Sequence, residues 1–130
     1  MGRVALDASV VIGLFLPDDA HHETARAELA AARMRADSFV LPASVLSEAM
    51  VGGYRNGTAP EMHRRIVGLF GPVRPVDEAV ALAAADLRGR HTLRLPDALV
   101  IATGIVDDAI VLTCDHRLAS VDARVQVVGG

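Results

Sequence analysis

The chain has 130 residues, 52% of them hydrophobic, and a formal net charge of -3, the scale of one domain, residues 1–130, that buries about two-thirds of its unfolded surface without covalent staples. Its single cysteine excludes a disulfide framework, and because all thirteen basic residues are arginine there is no lysine for a Schiff base or a phosphate-binding loop. The negative balance argues against a polyanionic partner unless some of the acids hold cations.

Val4-Ala5-Leu6 is apolar on successive residues, as a strand covered on both faces of a parallel sheet requires. Asp7 follows directly and Ser9 two residues later. A helix is predicted from about Ala8 to Leu16, stopped by Pro17-Asp18-Asp19. The apolar run Val10 to Leu16 is far short of the ~20 residues of a membrane span, and no basic leader or small-residue cleavage site brackets it, so a cytoplasmic, non-membrane protein is expected. His21 to Met34 carries Ala25, Leu29 and Ala32 at helical spacing, and its opening His21-His22-Glu23 reads as a solvated helix start, since neighbours on a helix face apart.

Phe39-Val40-Leu41 reads as a second strand. Pro42 is placed to begin a helix running to about Val51 and ending in Gly52-Gly53, with Ser44, Ser47 and Glu48 on its polar side. Residues 56–60 read as a loop, Glu61 to Leu69 as a helix broken by Gly71-Pro72, and Val73 to Val76 as a short strand at a sheet edge. Asp77 caps an Ala-rich helix reaching about Arg88. Leu95-Pro96-Asp97 opens another whose continuation, Ala98 to Ala102, is apolar all round and therefore central. Asp107-Asp108 turns the chain into a strand, Ile110 to Thr113, that ends beside Cys114 and Asp115. His116 to Ala119 makes one helical turn, and Val125 to Val128 a last strand. Cys114 lies in an apolar run, the setting of a small buried hydrophobe in a reducing compartment.

Strands alternating with helices predict an α/β fold with a mainly parallel sheet, whose ligand site lies beyond the carboxyl ends of the strands. Asp7 and Asp115 stand at such ends, and Glu48 and Asp97 on helices that leave or approach the same edge. Four carboxylates in one pocket would repel one another unless cations intervene, and an all-oxygen set selects Mg²⁺ or Mn²⁺ over zinc. Asp97 gains further from the positive end of its helix. Thr113, two residues before Asp115 on a strand, is placed to orient a carboxylate or a water. Ions so held activate water and stabilise both the attacking and leaving oxygens of a phosphodiester.

Asp7 to Ile12, Pro42 to Glu48, Leu95 to Ala102 and Thr113 to Leu118 resemble, in order, the successive motifs of PIN-domain nucleases, and most of all the VapC-type toxins of toxin–antitoxin pairs. The resemblance implies a PIN-like three-layer α/β/α sandwich and a Mg²⁺- or Mn²⁺-dependent endoribonuclease, the toxin of a type II toxin–antitoxin system. It further implies a homodimer held inactive by a cognate VapB-type antitoxin. Asp7, Glu48, Asp97 and Asp115 match the family's catalytic, metal-binding acids, and Ser9 and Thr113 its supporting hydroxyls. Leu118 stands where many relatives carry Phe, and Gly104 where Ala is common. Asp7 and Asp97 are expected as principal ligands, Glu48 binding the metal or its waters, and Asp115 completing the site. Arg88, Arg90 and Arg94, with His91 the densest basic segment, are candidates for holding RNA phosphates, ahead of Arg64, Arg65 and Arg117.

Two other readings fit parts of the pattern. A phosphoacceptor signalling domain also binds Mg²⁺ in an acidic pocket, but it needs an acidic pair after the first strand and a later lysine, and this chain has neither. A PIN-like nucleic-acid-binding or regulatory module acting with its antitoxin would keep the fold without turnover, and retention of all four acids favours the enzyme.

Overall fold

The computed structural model describes residues 2–129. Its elements are β1 (Arg3–Leu6), α1 (Ala8–Phe15), α2 (His22–Met34), β2 (Ser38–Pro42), α3 (Ala43–Asn56), α4 (Ala59–Phe70), β3 (Val73–Arg74), α5 (Glu78–Arg90), α6 (Leu95–Asp107), β4 (Ile110–Thr113), the 3₁₀ turn η1 (His116–Ser120) and β5 (Val125–Val127). The five strands form one sheet in the order β3-β2-β1-β4-β5. Every pairing is parallel, with Val4 beside both Phe39 and Ile110 and Thr113 beside Val127.

The strand order carries the architecture. From β1 the chain steps outward to β2 and β3, then crosses back to β4 and on to β5. Right-handed crossovers in opposite directions put their helices on opposite faces. Accordingly α3 and α4 lie against β2, with α1 beside α3, while α5 packs on α6 and α6 lies against β1 and β4. The result is the expected three-layer α/β/α sandwich, with a sheet that is wholly rather than mainly parallel. Between β1 and β4 the winding changes direction, and there the strand ends open a crevice.

The central strands are apolar on both faces because both are covered: Ala5, Leu6, Leu41 and Val111 are fully buried, as are Val10, Val11 and Ile101 from the helices above and below. Each such side chain contributes about 1.5–3 kcal/mol relative to leaving it in water. The edge strand β3 is only two residues long, as Pro75 dictates. Its Arg74 anchors the second helical layer, donating from Nε and a terminal nitrogen to the Asp107 carboxylate at 2.9 and 3.1 Å and to Asp77, the N-cap of α5, at 3.1 Å. Asp107 is thus more than the turn residue its position implied.

Several boundaries differ from the sequence reading, three of them with a clear physical reason. Pro42 closes β2 and caps α3 with extended backbone (φ -63°, ψ 142°) instead of opening the helix. Gly52-Gly53 does not end α3, which runs on to Asn56 and stops at Gly57, whose φ of +71° only glycine adopts freely. Gly53 is there because α4 crosses it: a Cβ at that position would stand 3.2 Å from Ala59 Cα. Correspondingly the loop shrinks to Gly57-Thr58, and Ala59-Pro60 forms the first turn of α4, where proline's missing N–H has no partner to lose.

Candidate active site

Asp7 is the first residue past β1. Its backbone N–H still pairs with the Leu112 carbonyl of β4, while its side chain already caps α1, Oδ1 accepting from the Ala8 N–H at 2.9 Å. The other oxygen, Oδ2, accepts from the Ser9 hydroxyl at 2.8 Å and from the Thr113 hydroxyl at 2.7 Å. Each hydroxyl is fixed from behind, Ser9 Oγ accepting the Cys114 N–H and Thr113 Oγ1 the Asp115 N–H. Both lone pairs of Oδ2 are therefore used and one on Oδ1 remains. Short bonds from three directions hold a carboxylate that is 8% exposed.

Asp97 reaches the same edge from the opposite layer. It occupies the first turn of α6, whose N-cap is Arg94, and it too is 8% exposed. Its one side-chain partner among the described residues is Arg94 Nε, at 3.3 Å. Glu48 approaches from α3, half-buried. Burial raises its pKa above the ordinary value, and the negative charges of Asp7 and Asp97 raise it further. That coupling brings together three of the four acids singled out in the sequence. One turn before Glu48 on α3, Ser44 Oγ is buried with no hydrogen-bond partner among the described residues.

Asp115 stands beside the group in another state. The backbone N–H and Nε of Arg117 donate to its Oδ1 at 2.9 and 3.1 Å, and a terminal nitrogen to Oδ2 at 2.8 Å. The guanidinium holds the Asp115 carboxyl below the usual carboxylate range, with the backbone bond lowering it further. Among the described residues, no three His, Cys, Asp or Glu side chains converge tightly enough to form a ready cation cage. The acids are gathered without being closed on one another, as mutual repulsion requires.

The predicted basic segment divides. Arg88, His91, Arg94 and Arg117, with Leu93 and Leu118, line a cleft of about 550 Å³ that ends at Asp97. Arg88 is steadied there by the Leu93 carbonyl at 3.1 Å. Arg90 is not among the cleft residues and pairs along α5 with Asp86 at 2.9 Å. Arg117, ranked behind these in the sequence reading, belongs to the cleft. The signal for it was its spacing, since it follows Asp115 by two residues as Ser9 follows Asp7. Cys114 is buried, and burial pushes its thiol pKa up. His22, expected in a solvated helix start, is instead half-buried and bonds the Gly13 carbonyl at 2.9 Å. On the far side of Glu48 lies an apolar groove of about 240 Å³ between α1, α3 and α4, lined by Val11, Phe15, Met62 and Ile66. Arg65 covers its rim, 4.7 Å from the centroid of the Phe15 ring.

The sequence model of the PIN domain family matches residues 4–124. The chain belongs to the PIN domain family. Among solved structures this PIN domain is similar to a chain of a toxin–antitoxin complex from Klebsiella pneumoniae, with a TM-score of 0.77 and 20% identity over 95% of this chain and 96% of that one. It is also similar to a chain of FitAcB from Neisseria gonorrhoeae (TM-score 0.73, 23% identity, 97% and 96% of the two chains). A third is the VapC20 toxin of Mycobacterium tuberculosis, which cleaves the sarcin–ricin loop (TM-score 0.68, 19% identity, 90% and 93%). At these identities the likeness speaks to the PIN fold. No functionally curated protein matches the sequence significantly.

Proposed function

We propose that this PIN-domain protein is a Mg²⁺- or Mn²⁺-dependent endoribonuclease, the toxin of a type II toxin–antitoxin pair, with Asp7, Glu48, Asp97 and Asp115 as its acidic site. The observation that carries the reading is the meeting of Asp7, Glu48 and Asp97 where the sheet winding reverses, two of them buried and with the charge of none cancelled by a buried cation. Oxygen-only donors, a Ser44 hydroxyl one turn from Glu48 with no partner among the described residues, and a Glu48 whose charge is disfavoured by burial and then by Asp7 and Asp97 fit a hard divalent ion. Such an ion, when bound, supplies an acidified water and charge stabilisation at phosphorus.

The chain's own groups do the rest. Ser9 and Thr113 fix Asp7 so that the free lone pair of Oδ1 presents a preset donor. Asp97 supplies a second donor, and a Glu48 carboxylate oxygen accepts from and orients the attacking water. Arg88 and Arg94 hold RNA phosphates in the cleft ending at Asp97, which brings the backbone past the acids. The apolar groove from Phe15 to Glu48 is the surface we assign to a VapB-type antitoxin, because a segment lying there would end against the acids. A second copy of the chain would cover Val51 and Tyr54, which α3 leaves exposed. We place the protein in the cytoplasm; no described helix is long and apolar enough to cross a membrane.

The lack of a closed three-residue cage among the described residues favours a second reading, a nucleic-acid-binding module without turnover. Purified protein freed of any partner, incubated with RNA and Mn²⁺, with chelator, and beside Asp97→Asn, decides between them. Cleavage that needs the ion and disappears in the variant is the expected result. Cleavage that persists in chelator would overturn the metal assignment, and RNA retained intact by folded, metal-binding protein would favour the second reading.

A further inference from the structure

Asp115 is the acid of the four whose charge is most fully answered, by a two-pronged guanidinium where Asp97 has one longer contact. Of the roughly four lone-pair sites of a carboxylate, three accept from Arg117, two of them from its guanidinium. A divalent ion approaching Asp115 must therefore share the carboxylate with a fixed positive group or displace it. Displacement is mechanically easy. The Arg117 side chain is 80% exposed against 23% for Asp115, and among the described residues no other hydrogen-bond acceptor holds its guanidinium. When the guanidinium swings away, the Arg117 backbone N–H stays on Oδ1 and keeps Asp115 oriented.

Arg94 stands in the same relation to Asp97, one bond at 3.3 Å from a side chain that is 70% exposed. Both arginines line the cleft that ends at Asp97, with Arg88 and His91 beside them. Without an ion, Arg94 and Arg117 are each bound to a carboxylate of the site, while Arg88 is held by the Leu93 carbonyl. With an ion on those carboxylates, Arg94 and Arg117 lose their partners and face the cleft as free cations. An arginine fork matches a phosphate as well as it matches a carboxylate.

Resting on the nuclease reading above, we infer that Arg117 is a mobile counterion that couples the two bindings, neutralising Asp115 until a cation loads the site and then turning onto the RNA backbone in the cleft. It is a positioning residue with two addresses. Cation binding comes first in this scheme and creates part of the phosphate site, so RNA affinity depends on the ion beyond any direct contact between ion and phosphate.

The test uses Ca²⁺, a hard oxygen-seeking ion, as the probe, and the full chain with Arg117→Ala, Arg117→Gln and, as a control away from the site, Arg26→Ala. Calorimetric titration of metal-free protein should show both Arg117 variants binding Ca²⁺ about fivefold more tightly than the parent, the scale of one exposed ion pair. Fluorescence anisotropy with a short labelled single-stranded RNA should show Ca²⁺ tightening RNA binding in the parent. In the Arg117 variants much of that gain should vanish, and the slope of log affinity against log salt should fall by about one, the signature of one lost phosphate contact. A simple loss of structure would weaken both bindings, whereas this scheme strengthens one and weakens the other. Ca²⁺ affinity unchanged or lowered in both variants, with the parent binding normally, would overturn the inference and leave the nuclease reading standing. A parent that binds no ion would overturn both.

Discussion

At the scale of single residues the site is a balance between fixation and repulsion, and the two differ from acid to acid. Asp7 is held by the Ala8 N–H and two hydroxyls, so an amide in its place must turn an NH₂ toward one set of donors. Asp97 has, among the described residues, only an exposed arginine at 3.3 Å. In chelator, Asp7→Asn should lose about 1–3 kcal/mol of stability, the cost of buried groups left unpaired. Asp97→Asn should melt above the parent, because relief of buried like charge outweighs one weak pair. Denaturant melts of both variants check this, and a stabilised Asp7→Asn would refute the fixed-carboxylate account. Glu48 adds a pH dependence. Its folded-state pKa is raised, by burial first and by Asp7 and Asp97 next, so the charged form costs stability in the fold. That cost is absent below its ordinary value of 4.5, grows as pH rises through the raised value and is complete above it. Glu48→Gln in chelator should therefore melt above the parent at pH 7 and level with it near pH 4. A melting difference that does not change with pH would place the effect elsewhere than in Glu48's charge. The sequence carried these acids because each sits next to a strand end or a helix start, positions readable from pattern alone. It did not carry the state of Asp115, because the spacing to Arg117 places the two side by side without saying whether the guanidinium turns onto the carboxylate or into the cleft.

At the scale of elements, glycine separates what pattern can see from what it cannot. Gly52 and Gly53 are adjacent and look like one helix stop, yet α3 passes through both. At Gly52 a Cβ would meet nothing within 4 Å, while at Gly53 it would stand 3.2 Å from the Ala59 backbone, and at Gly104 it would overlap Val111 Cγ2 of β4. The reason for Gly53 is a helix crossing, which exists only once α4 has packed. Gly104 likewise lets α6 lie close on the sheet, so an alanine does not fit there without a shift. Gly52→Ala should raise stability by about 0.5–1 kcal/mol, since it removes only backbone freedom. Gly104→Ala should cost about 1–3 kcal/mol by overpacking, and Gly53→Ala should also destabilise by pushing α4 off α3. Equilibrium unfolding of the three variants tests the set, and a neutral Gly104→Ala would show that α6 can move. The strands and most helix starts were legible because buried parallel strands are apolar on every residue and because Asp77 and Pro96 mark helix starts in the sequence. Pro42 was misplaced by a single position, since a proline fits the end of an extended strand as well as it fits a first helical turn.

At the scale of the molecule, Asp7, Glu48 and Asp97 stand on elements that no side-chain hydrogen bond among the described residues of the site joins. Asp7 stands between β1 and α1, Glu48 on α3 in one helical layer, Asp97 on α6 in the other. An ion held by the three would cross-link both helical layers to the sheet edge, and the unfolded chain, with its acids far apart, could not compete for it. Stabilisation by such a ligand follows its saturation, reaching about 2.7 kcal/mol when free ion is a hundred times the dissociation constant. Raising Mn²⁺ from chelated to saturating should accordingly shift the melt upward with concentration, and reverse the order of parent and Glu48→Gln found in chelator. The same addition should leave Asp97→Asn nearly where it was. Mg²⁺ should act in the same direction, since the donors are all oxygen. Raising salt without a divalent ion separates this from screening: sodium chloride weakens repulsion among exposed charges but acts less on carboxylates buried to 8% exposure. A melt that rises equally with sodium chloride and with Mn²⁺ at matched ionic strength would mean that the carboxylates are relieved by screening alone, and the acidic cluster would then be no cation site.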